Sequence, residues 1–277
     1  MAGMRFLMAV LLLALPWRLA AQEAHGYELF PRVAPFRAPV ADPAEPRVFM
    51  SRLEMKRAAG DFSAARVGLG ADLGLLQRSA SGEHGWQLSV FGSIDSLFNL
   101  DLPGDALVNT DYRVGIPLRW RDGAFSARAR IYHQSSHLGD ELILGGNAPR
   151  RIDLSFEALD LLVAWERSGL RLYGGGSHTL SSSTDLYKGG GVHLGADYLS
   201  APVLFGQRLT AGLDVKWLEP ADGRSGVSAK AGVKLGGPAP QRGGVTLLVE
   251  AYEGFAPFGQ FFVEDIRYHG ATIQFDF

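Results

Sequence analysis

From residue 47 to the C-terminus, apolar residues alternate with polar or small ones, which is the period of a β-strand. Along residues 111–120 one face is wholly apolar and ends on Trp120, while the other face carries Arg113 and Arg119. The alternation predicts about twelve strands, an even number, at residues 49–55, 65–75, 86–94, 111–120, 125–131, 152–165, 170–176, 192–198, 208–217, 227–235, 245–251 and 271–277.

A soluble sandwich also alternates, so the choice of a membrane barrel depends on three further features. Strands of about ten residues suit a tilted crossing of a bilayer. Tight turns at residues 121–123 and 167–169 alternate with long connections, as short periplasmic turns and long external loops do. Aromatic residues fall at strand ends in two belts, with Trp86, Trp120 and Trp165 on the predicted periplasmic side and Tyr112 and Trp217 on the other. We therefore predict a single all-β domain, an antiparallel transmembrane β-barrel over residues 47–277.

The two ends of the chain indicate export. Residues 1–21 have an early Arg5, a short apolar run and small residues up to Ala21, which is the pattern of a signal peptide. An uncleaved anchor is the alternative interpretation. Residues 22–46 contain five prolines and no period, which predicts a periplasmic tail, a plug across the barrel or a disordered linker. The final ATIQFDF resembles the terminal recognition signal of outer-membrane barrels, which implies assembly by the barrel assembly machinery through Phe277.

Composition narrows the classes of function. The 27 basic and 29 acidic side chains nearly balance, so nothing indicates a nucleic-acid partner. The absence of cysteine excludes disulfides, Cys-ligated zinc and a lipidated N-terminal cysteine. The expected location is the outer membrane of a Gram-negative bacterium, with outer-membrane lipids as partners; the oligomeric state stays open.

Several stretches of this sequence resemble an uncharacterised Gram-negative family, domain of unknown function 1207. They are NTDYRVGIPLRWRDGAFSARARIYHQSSHLGDE, SFEAL, RLYGGG and EAYEGFAPFGQFF, together with the C-terminal Phe277. The resemblance implies an exported barrel-like protein and supplies no activity.

The inner face of the predicted barrel is basic on two neighbouring strands, where we expect Arg113, Arg119, Arg128 and Arg130 to line the lumen. One interpretation is a selectivity ladder for acidic solutes. The other is a salt-bridged interior in which Asp111, Asp214 and Glu250 neutralise the basic side chains.

The stretch RIYHQSSHLG carries the alternation into polar residues at the outer end of a strand. On the lipid-facing phase, His133 and Ser135 point outward. The next predicted strand changes its apolar phase near Ala158, so either a bulge flips its register or Glu157 also points outward beside His133. A serine, a histidine and an acid on one wall are the parts of a serine hydrolase. The competing interpretation is a strand that simply reaches water, and a metal site at His133, His137, Asp140 and Glu141 is a third.

The element HQSS also resembles the His-x-Ser-Asn element of outer-membrane phospholipase A and of lipid A deacylases. By that resemblance His133 is the base, Ser135 the nucleophile, and Glu157 or Asn147 the third member. Ser136 and His137 stand where those families have Asn-Gly, so the match is three residues long. We expect no cofactor, and calcium enters only by analogy with the phospholipase.

Two hypotheses follow from the sequence. The first is an envelope-lipid hydrolase, a phospholipase or lipid A deacylase, with catalytic His133, Ser135 and Glu157. The second is a non-enzymatic barrel, either a narrow channel for acidic solutes or a structural envelope protein.

Overall fold

The computed structural model describes residues 26–79, 84–144, 152–235 and 243–276 and shows a closed antiparallel barrel of twelve strands with one extra strand, β1. This confirms the predicted fold class. The strands are β1 Tyr27–Leu29, β2 Val48–Arg57, β3 Phe62–Ser79, β4 His84–Asn99, β5 Ala106–Asp122, β6 Phe125–Leu138, β7 Leu154–Arg167, β8 Leu170–Ser182, β9 Gly190–Leu199, β10 Arg208–Leu218, β11 Arg224–Leu235, β12 Gly244–Phe255 and β13 Asp265–Asp276. Helical turns in the described connections are α1 Asp140–Leu144 and 3₁₀ turns at Asp185–Tyr187, Leu204–Gly206, Glu219–Ala221 and Gly259–Phe261. Within these ranges no helix is long and apolar enough to cross a membrane.

The barrel closes because the first and last of its strands pair. From β2 to β13 each strand is hydrogen-bonded to its sequence neighbours, and β2 pairs with β13 in a register that sets Met50 opposite Ile273. Closure gives every barrel strand two partners, which leaves no edge ladder open inside a bilayer. β1 lies outside this cycle and pairs with the end of β3.

The alternation in sequence becomes an apolar outside and a polar inside. The outward row of β5 is exposed, with 58% of Ile116 and 50% of Leu118 accessible, while the inward Arg119 is only 6% exposed. The outward row of β7 behaves in the same way, as Val163 shows at 55%. Apolar side chains exposed around a closed sheet form the band that lipid covers in a membrane barrel.

The two ends of the barrel differ in their connections. At the end that we call the turn end, Gly123–Ala124 joins β5 to β6, and Ser168–Gly169 joins β7 to β8. Ser168 (φ 51°) and Gly169 (φ 82°) both have positive φ, as a type I′ hairpin requires. Residues 200–207 also lie at this end and span eight positions, so its connections are not uniformly short. At the opposite end, the loop end, lie the connections from β6 to β7, from β8 to β9 and from β12 to β13.

Pro117 lies where one ladder is interrupted. The β4–β5 register resumes after Leu88 opposite Leu118 only at Phe91 opposite Gly115, so Ser89 and Val90 have no register partner in β5. A proline has no N–H to donate, and the gap removes the need for one. On its other side Pro117 stays in register with Arg130 of β6.

Residues 31–46 enter the barrel from the turn end and lie in the lumen. The segment is buried, since no more than 5% of the surface is exposed at Phe36, Ala41, Asp42 and Glu45. Prolines keep this segment out of a β ladder, so its carbonyl oxygens need other donors. Lumen arginines supply them: Arg66 donates to the Pro43 carbonyl (2.6 Å), Arg113 to that of Ala44 (3.1 Å), Arg121 to that of Pro35 (2.9 Å) and Arg171 to those of Arg37 (2.5 Å) and Ala38 (3.2 Å).

The β12–β13 connection folds into the lumen from the loop end. Phe258, Phe261 and Phe262 are each 3% exposed. The Gly259 amide donates to Asp111 Oδ2 (3.0 Å), and the Gln260 amide group donates to the carbonyls of Ser136 (2.7 Å) and Ile152 (2.8 Å). The described interior is therefore occupied from both ends.

The change of phase in β7 follows from this inward loop. Leu154, Phe156 and Ala158 point inward and pack with Phe262 and, at the edge of the cluster, Tyr187. β7 keeps an unbroken register with β6, and the extra residue is Leu180 of β8, between the pairs Glu157–Ser181 and Ala158–Thr179. No bulge in β7 reverses Glu157, so Glu157 lies on the outward phase.

Candidate functional site

The polar group on the outer wall lies on β6 and β7 near the loop end. His133 is directly opposite Glu157, and Ser135 is directly opposite Ser155. One step nearer the turn end on the same face, Ile131 is opposite Leu159, and both side chains are exposed. Because strand side chains alternate, all of these residues share the outward face. The group therefore lies where the apolar outer surface gives way to polar residues.

His133 makes two contacts across the strand pair. Its Nδ1 lies 2.9 Å from Glu157 Oε1, and its Nε2 lies 3.4 Å from Ser155 Oγ. The side chains of His133 and Glu157 are 42% and 46% exposed, so the pair is accessible from outside. Acid, imidazole and hydroxyl follow one another in the order that the catalytic triad of serine hydrolases uses.

The structure thus brings His133 and Glu157 together but places a different serine against the ring. Ser135 lies on the outward face two residues along the strand from His133, and its hydroxyl makes no hydrogen bond within the described residues. Ser155 is the residue that sequence reasoning missed as a participant. Its signal was present: Ser155 and Glu157 are polar residues two apart on the phase that carries Leu159 and Leu161.

The backbone around Ser155 is held by Ser183, which lies in the connection between β8 and β9. The Ser155 N–H donates to Ser183 Oγ (2.9 Å), and the Ser183 N–H donates to the Ser155 carbonyl (2.8 Å). With β6 on one side and Ser183 on the other, the main chain that carries Ser155 has a defined position.

The donor set on this wall does not suit calcium. Ca²⁺ takes six to eight oxygen ligands, carboxylates prominent among them. Here the Glu157 carboxylate already binds His133, and no group of three carboxylate or imidazole ligands forms beside it in the described part of the chain. The predicted metal site at His133, His137, Asp140 and Glu141 does not come together in the described residues either. His137 packs edge-on against Tyr112 with ring centroids 5.8 Å apart, and Asp140 begins α1.

The four lumen arginines of the sequence analysis are inside the barrel and paired. Arg113 lies 3.6 Å from Asp111, Arg128 lies 2.8 Å from Glu45 and Arg130 lies 2.5 Å from Asp160. Arg119 forms an ion pair with Asp72. Glu45 belongs to the inserted segment, so part of the neutralising charge comes from residues 31–46. Of the three expected acidic partners, Asp111 pairs with Arg113, Glu250 with Lys230 (3.2 Å) and Asp214 with His193 (2.5 Å).

A second group of titratable residues lies in the lumen. One ligand atom each from Asp42, His193 and Asp214 falls within 4.8 Å of the others, which is a spacing that could hold a metal ion. The other Asp42 oxygen binds the Lys216 ammonium (2.5 Å), and Asp214 Oδ2 accepts from the Tyr173 hydroxyl (2.7 Å). With Lys216 already supplying a positive charge, these groups form an ion-pair network between the inserted segment and β8, β9 and β10.

Some residues of the sequence analysis lie outside the described ranges. They are the expected signal peptide at residues 1–21, Asn147 as the alternative third member, and the C-terminal Phe277.

Comparison with known families gives one match, over nearly all of the chain after the expected signal peptide. The family model described as "Protein of unknown function (DUF1207)" matches residues 28–277. A comparison with curated proteins finds no match.

Solved structures similar to this chain are bacterial outer-membrane barrels. The Salmonella typhi outer membrane phospholipase dimer with bound calcium is 13% identical, with a TM-score of 0.57 over 87% of this chain and 95% of that one. Outer membrane phospholipase A from Escherichia coli is 13% identical, with a TM-score of 0.56 over 83% and 90%. The KdgM porin in complex with disordered oligogalacturonate is 10% identical, with a TM-score of 0.47 over 83% and 99%. At these identities the likeness to the two phospholipases establishes the fold alone.

Proposed function

The chain belongs to the DUF1207 family of unknown function, and we propose that it is an acyl hydrolase that cleaves ester-linked acyl chains of outer-membrane lipids, phospholipid or lipid A. In this proposal, residues 1–21 direct export, Phe277 serves recognition by the barrel assembly machinery, and the loop end faces outside the cell. The observation that carries the proposal is the hydrogen bond between Glu157 and His133 on the outward wall.

The position of this pair suits a substrate that is itself in the membrane. A lipid ester group lies at the boundary between acyl chains and headgroups. The His133–Glu157 pair lies just beyond the exposed Ile131 and Leu159, at the boundary of the apolar band. A lipid lying against the barrel wall would therefore present its ester to the imidazole without leaving the bilayer.

The chemical roles follow from the hydrogen bonds. The Glu157 carboxylate orients His133 and stabilises the imidazolium that forms when the ring takes a proton. His133 acts as general base toward a serine hydroxyl, since an unassisted serine is a weak nucleophile. A general base of this kind contributes roughly 10²–10⁴-fold to the rate.

The interior offers less support for a channel. The lumen contains residues 31–46 and the β12–β13 connection, and each of the four predicted arginines has an acidic partner. A selectivity ladder needs unpaired charge along an open path. The contacts fit the predicted salt-bridged interior better than they fit a selectivity ladder. If the hydrolysis test fails, the remaining proposal is a structural role in the envelope.

The test is release of fatty acid by the full-length folded barrel in mixed micelles that contain phospholipid or lipid A. We expect His133→Ala to lower the rate at least about 10²-fold. We also expect Glu157→Gln to lower it, because an amide does not stabilise the imidazolium that forms during the reaction. His137→Ala is the matched control, since His137 lies on the same strand and packs on Tyr112 instead. A wild-type barrel with heat-modifiable migration and no release from either lipid would overturn the proposal.

A further inference from the structure

The orientation of the His133 ring decides which serine it can activate. A carboxylate only accepts hydrogen bonds, so Nδ1, which faces Glu157, carries the proton of the neutral imidazole. Nε2 is then left with its lone pair, and that lone pair is what removes a proton from a nucleophile. The hydroxyl at Nε2 is Ser155 Oγ, at 3.4 Å.

We infer that Ser155, not Ser135, is the nucleophile of the hydrolase. The inference rests on the proposed function and adds the residue that attacks the ester. The Ser155–His133 separation is loose for a hydrogen bond, but catalytic hydrogen bonds are often long in sites without substrate and tighten in the Michaelis complex. The acid and the nucleophile then come from one strand, β7, and the base comes from the neighbouring β6.

The reaction balances with these groups alone and water. Ser155 Oγ forms a bond to the ester carbonyl carbon while its proton passes to His133 Nε2. The tetrahedral intermediate breaks the bond between that carbon and the alcohol oxygen, which takes the proton from Nε2 and leaves as the lipid alcohol. Water then gives a proton to Nε2 and attacks the acyl-serine. Fatty acid is released and the Ser155 hydroxyl recovers its proton.

Ser135 has a different place in this arrangement. It lies directly opposite Ser155, with the about 4.5–5.5 Å between Cβ atoms that opposed residues in a sheet have. Its hydroxyl has no partner within the described residues and lies on the same outward face. A serine hydroxyl beside an attacked carbonyl is a donor for the oxyanion, and loss of one such donor costs on the order of 10²-fold in kcat.

The experiment is covalent capture on the wild-type barrel with an alkyl fluorophosphonate, followed by trypsin digestion and mass spectrometry. Cleavage at Arg130, Arg150, Arg151 and Arg167 separates the two candidates, because residues 152–167 contain Ser155 as their one serine and residues 131–150 contain Ser135 and Ser136. We expect the adduct on the fragment 152–167. An adduct on 131–150 overturns the inference.

Turnover of the variants gives an independent readout. We expect Ser155→Ala to abolish labelling and to lower turnover by on the order of 10⁴-fold or more, and Ser135→Ala to keep labelling and lower kcat by roughly 10²-fold. Ser181→Ala, an exposed serine on the adjoining strand β8, is the control. Loss of activity in Ser135→Ala with retention in Ser155→Ala refutes the assignment but leaves a serine hydrolase. Absence of both hydrolysis and labelling in the wild type means that the proposed function itself has failed.

Discussion

Removal of the Glu45 carboxylate should release the segment 31–46 from the lumen. Both Glu45 oxygens face Arg128, at 2.8 Å and 2.9 Å, and Arg130 lies 3.5 Å away. The side chains of Glu45 and Arg128 are 3% and 2% exposed. In Glu45→Ala the guanidinium of Arg128 stays buried, and its remaining acidic partner is Asp160, 3.8 Å from its Nε and already paired with Arg130.

The expected size of the effect follows from that burial. Breaking a buried ion pair by removing one partner costs about 3–5 kcal/mol, because it leaves an uncompensated charge. The cost applies to the docked form of the segment, since water can reach Arg128 once the segment leaves. At about 1.36 kcal/mol per tenfold, the undocked population should rise roughly 10²- to 10⁴-fold. The double variant Glu45→Ala with Arg128→Ala should recover part of this loss, because no orphaned guanidinium remains.

The chain contains no cysteine, so a single Ala44→Cys substitution gives a clean reporter. Ala44 faces a lumen cavity of about 120 Å³, and a polymer-linked maleimide is too large to enter it. The labelling rate therefore measures how often the segment leaves the barrel. Glu28→Ala, at an exposed acid of β1, is the matched control. A labelling rate in Glu45→Ala that stays within about threefold of the parent, with the barrel still folded, would refute the reasoning. The contacts of the segment with Arg66, Arg171 and Lys216 would then hold it without Glu45.

Two further predictions concern pH and turn geometry. Burial alone would raise the pKa of Glu45, but Arg128 and Arg130 outweigh it and lower the pKa from 4.5 to about 2. Its contribution to docking is therefore complete above about pH 4.5 and is lost as pH falls through about 2. Hydrogen exchange of residues 36–46, corrected for intrinsic rates, should be equal at pH 5 and pH 7 and should rise only in stronger acid. A rise already at pH 6 would contradict this. Gly169→Ala should lower the yield of folded barrel more than Gly123→Ala, because a Cβ at Gly169 would lie 2.2 Å from the Leu199 carbonyl oxygen whereas one at Gly123 meets nothing within 4 Å. Both have positive φ, so that strain is common to the two variants; equal yields by heat-modifiable migration would exclude the steric cause.

The barrel could be predicted from the sequence because each strand repeats one physical constraint. A residue such as Leu118 must face lipid and its neighbour Arg119 must not, so alternation appears in every strand with the period of the pleat. The path of residues 31–46 has no such signature. It is fixed by Arg66 and Arg171 donating to carbonyl oxygens of prolyl and neighbouring residues, and backbone acceptors look alike in every sequence. Composition therefore could not decide between a plug, a periplasmic tail and a disordered linker for this segment.

The direction of the Glu157 side chain could likewise be predicted only in part from the sequence. The alternation in β7 indicated two incompatible phases, and the deciding residues, Phe262 and Tyr187, lie far along the chain in other connections. Once these aromatic rings fold inward, Phe156 belongs to an interior cluster and Glu157 must lie outside. The short match at HQSS indicated His133 as the base, and the structure places its ring against Glu157. The match could not show which serine lies at Nε2, because that depends on the ring's direction across the strand pair.

The filled interior bears on where any chemistry of this barrel can take place. Lumen acids such as Asp160 and Glu45 are held in ion pairs with Arg130 and Arg128, and ligand entry would have to break contacts worth several kcal/mol each. The outer wall carries no such cost, because the side chains of His133 and Glu157 are already accessible. The exposed His133–Glu157 pair also contributes little to the stability of the fold, because exposed ion pairs contribute about 0–1 kcal/mol. Replacing both by the Val and Leu typical of neighbouring outward positions should therefore leave barrel stability nearly unchanged while it removes the proposed hydrolysis. A loss of folded barrel in that variant would show that the pair serves the fold instead.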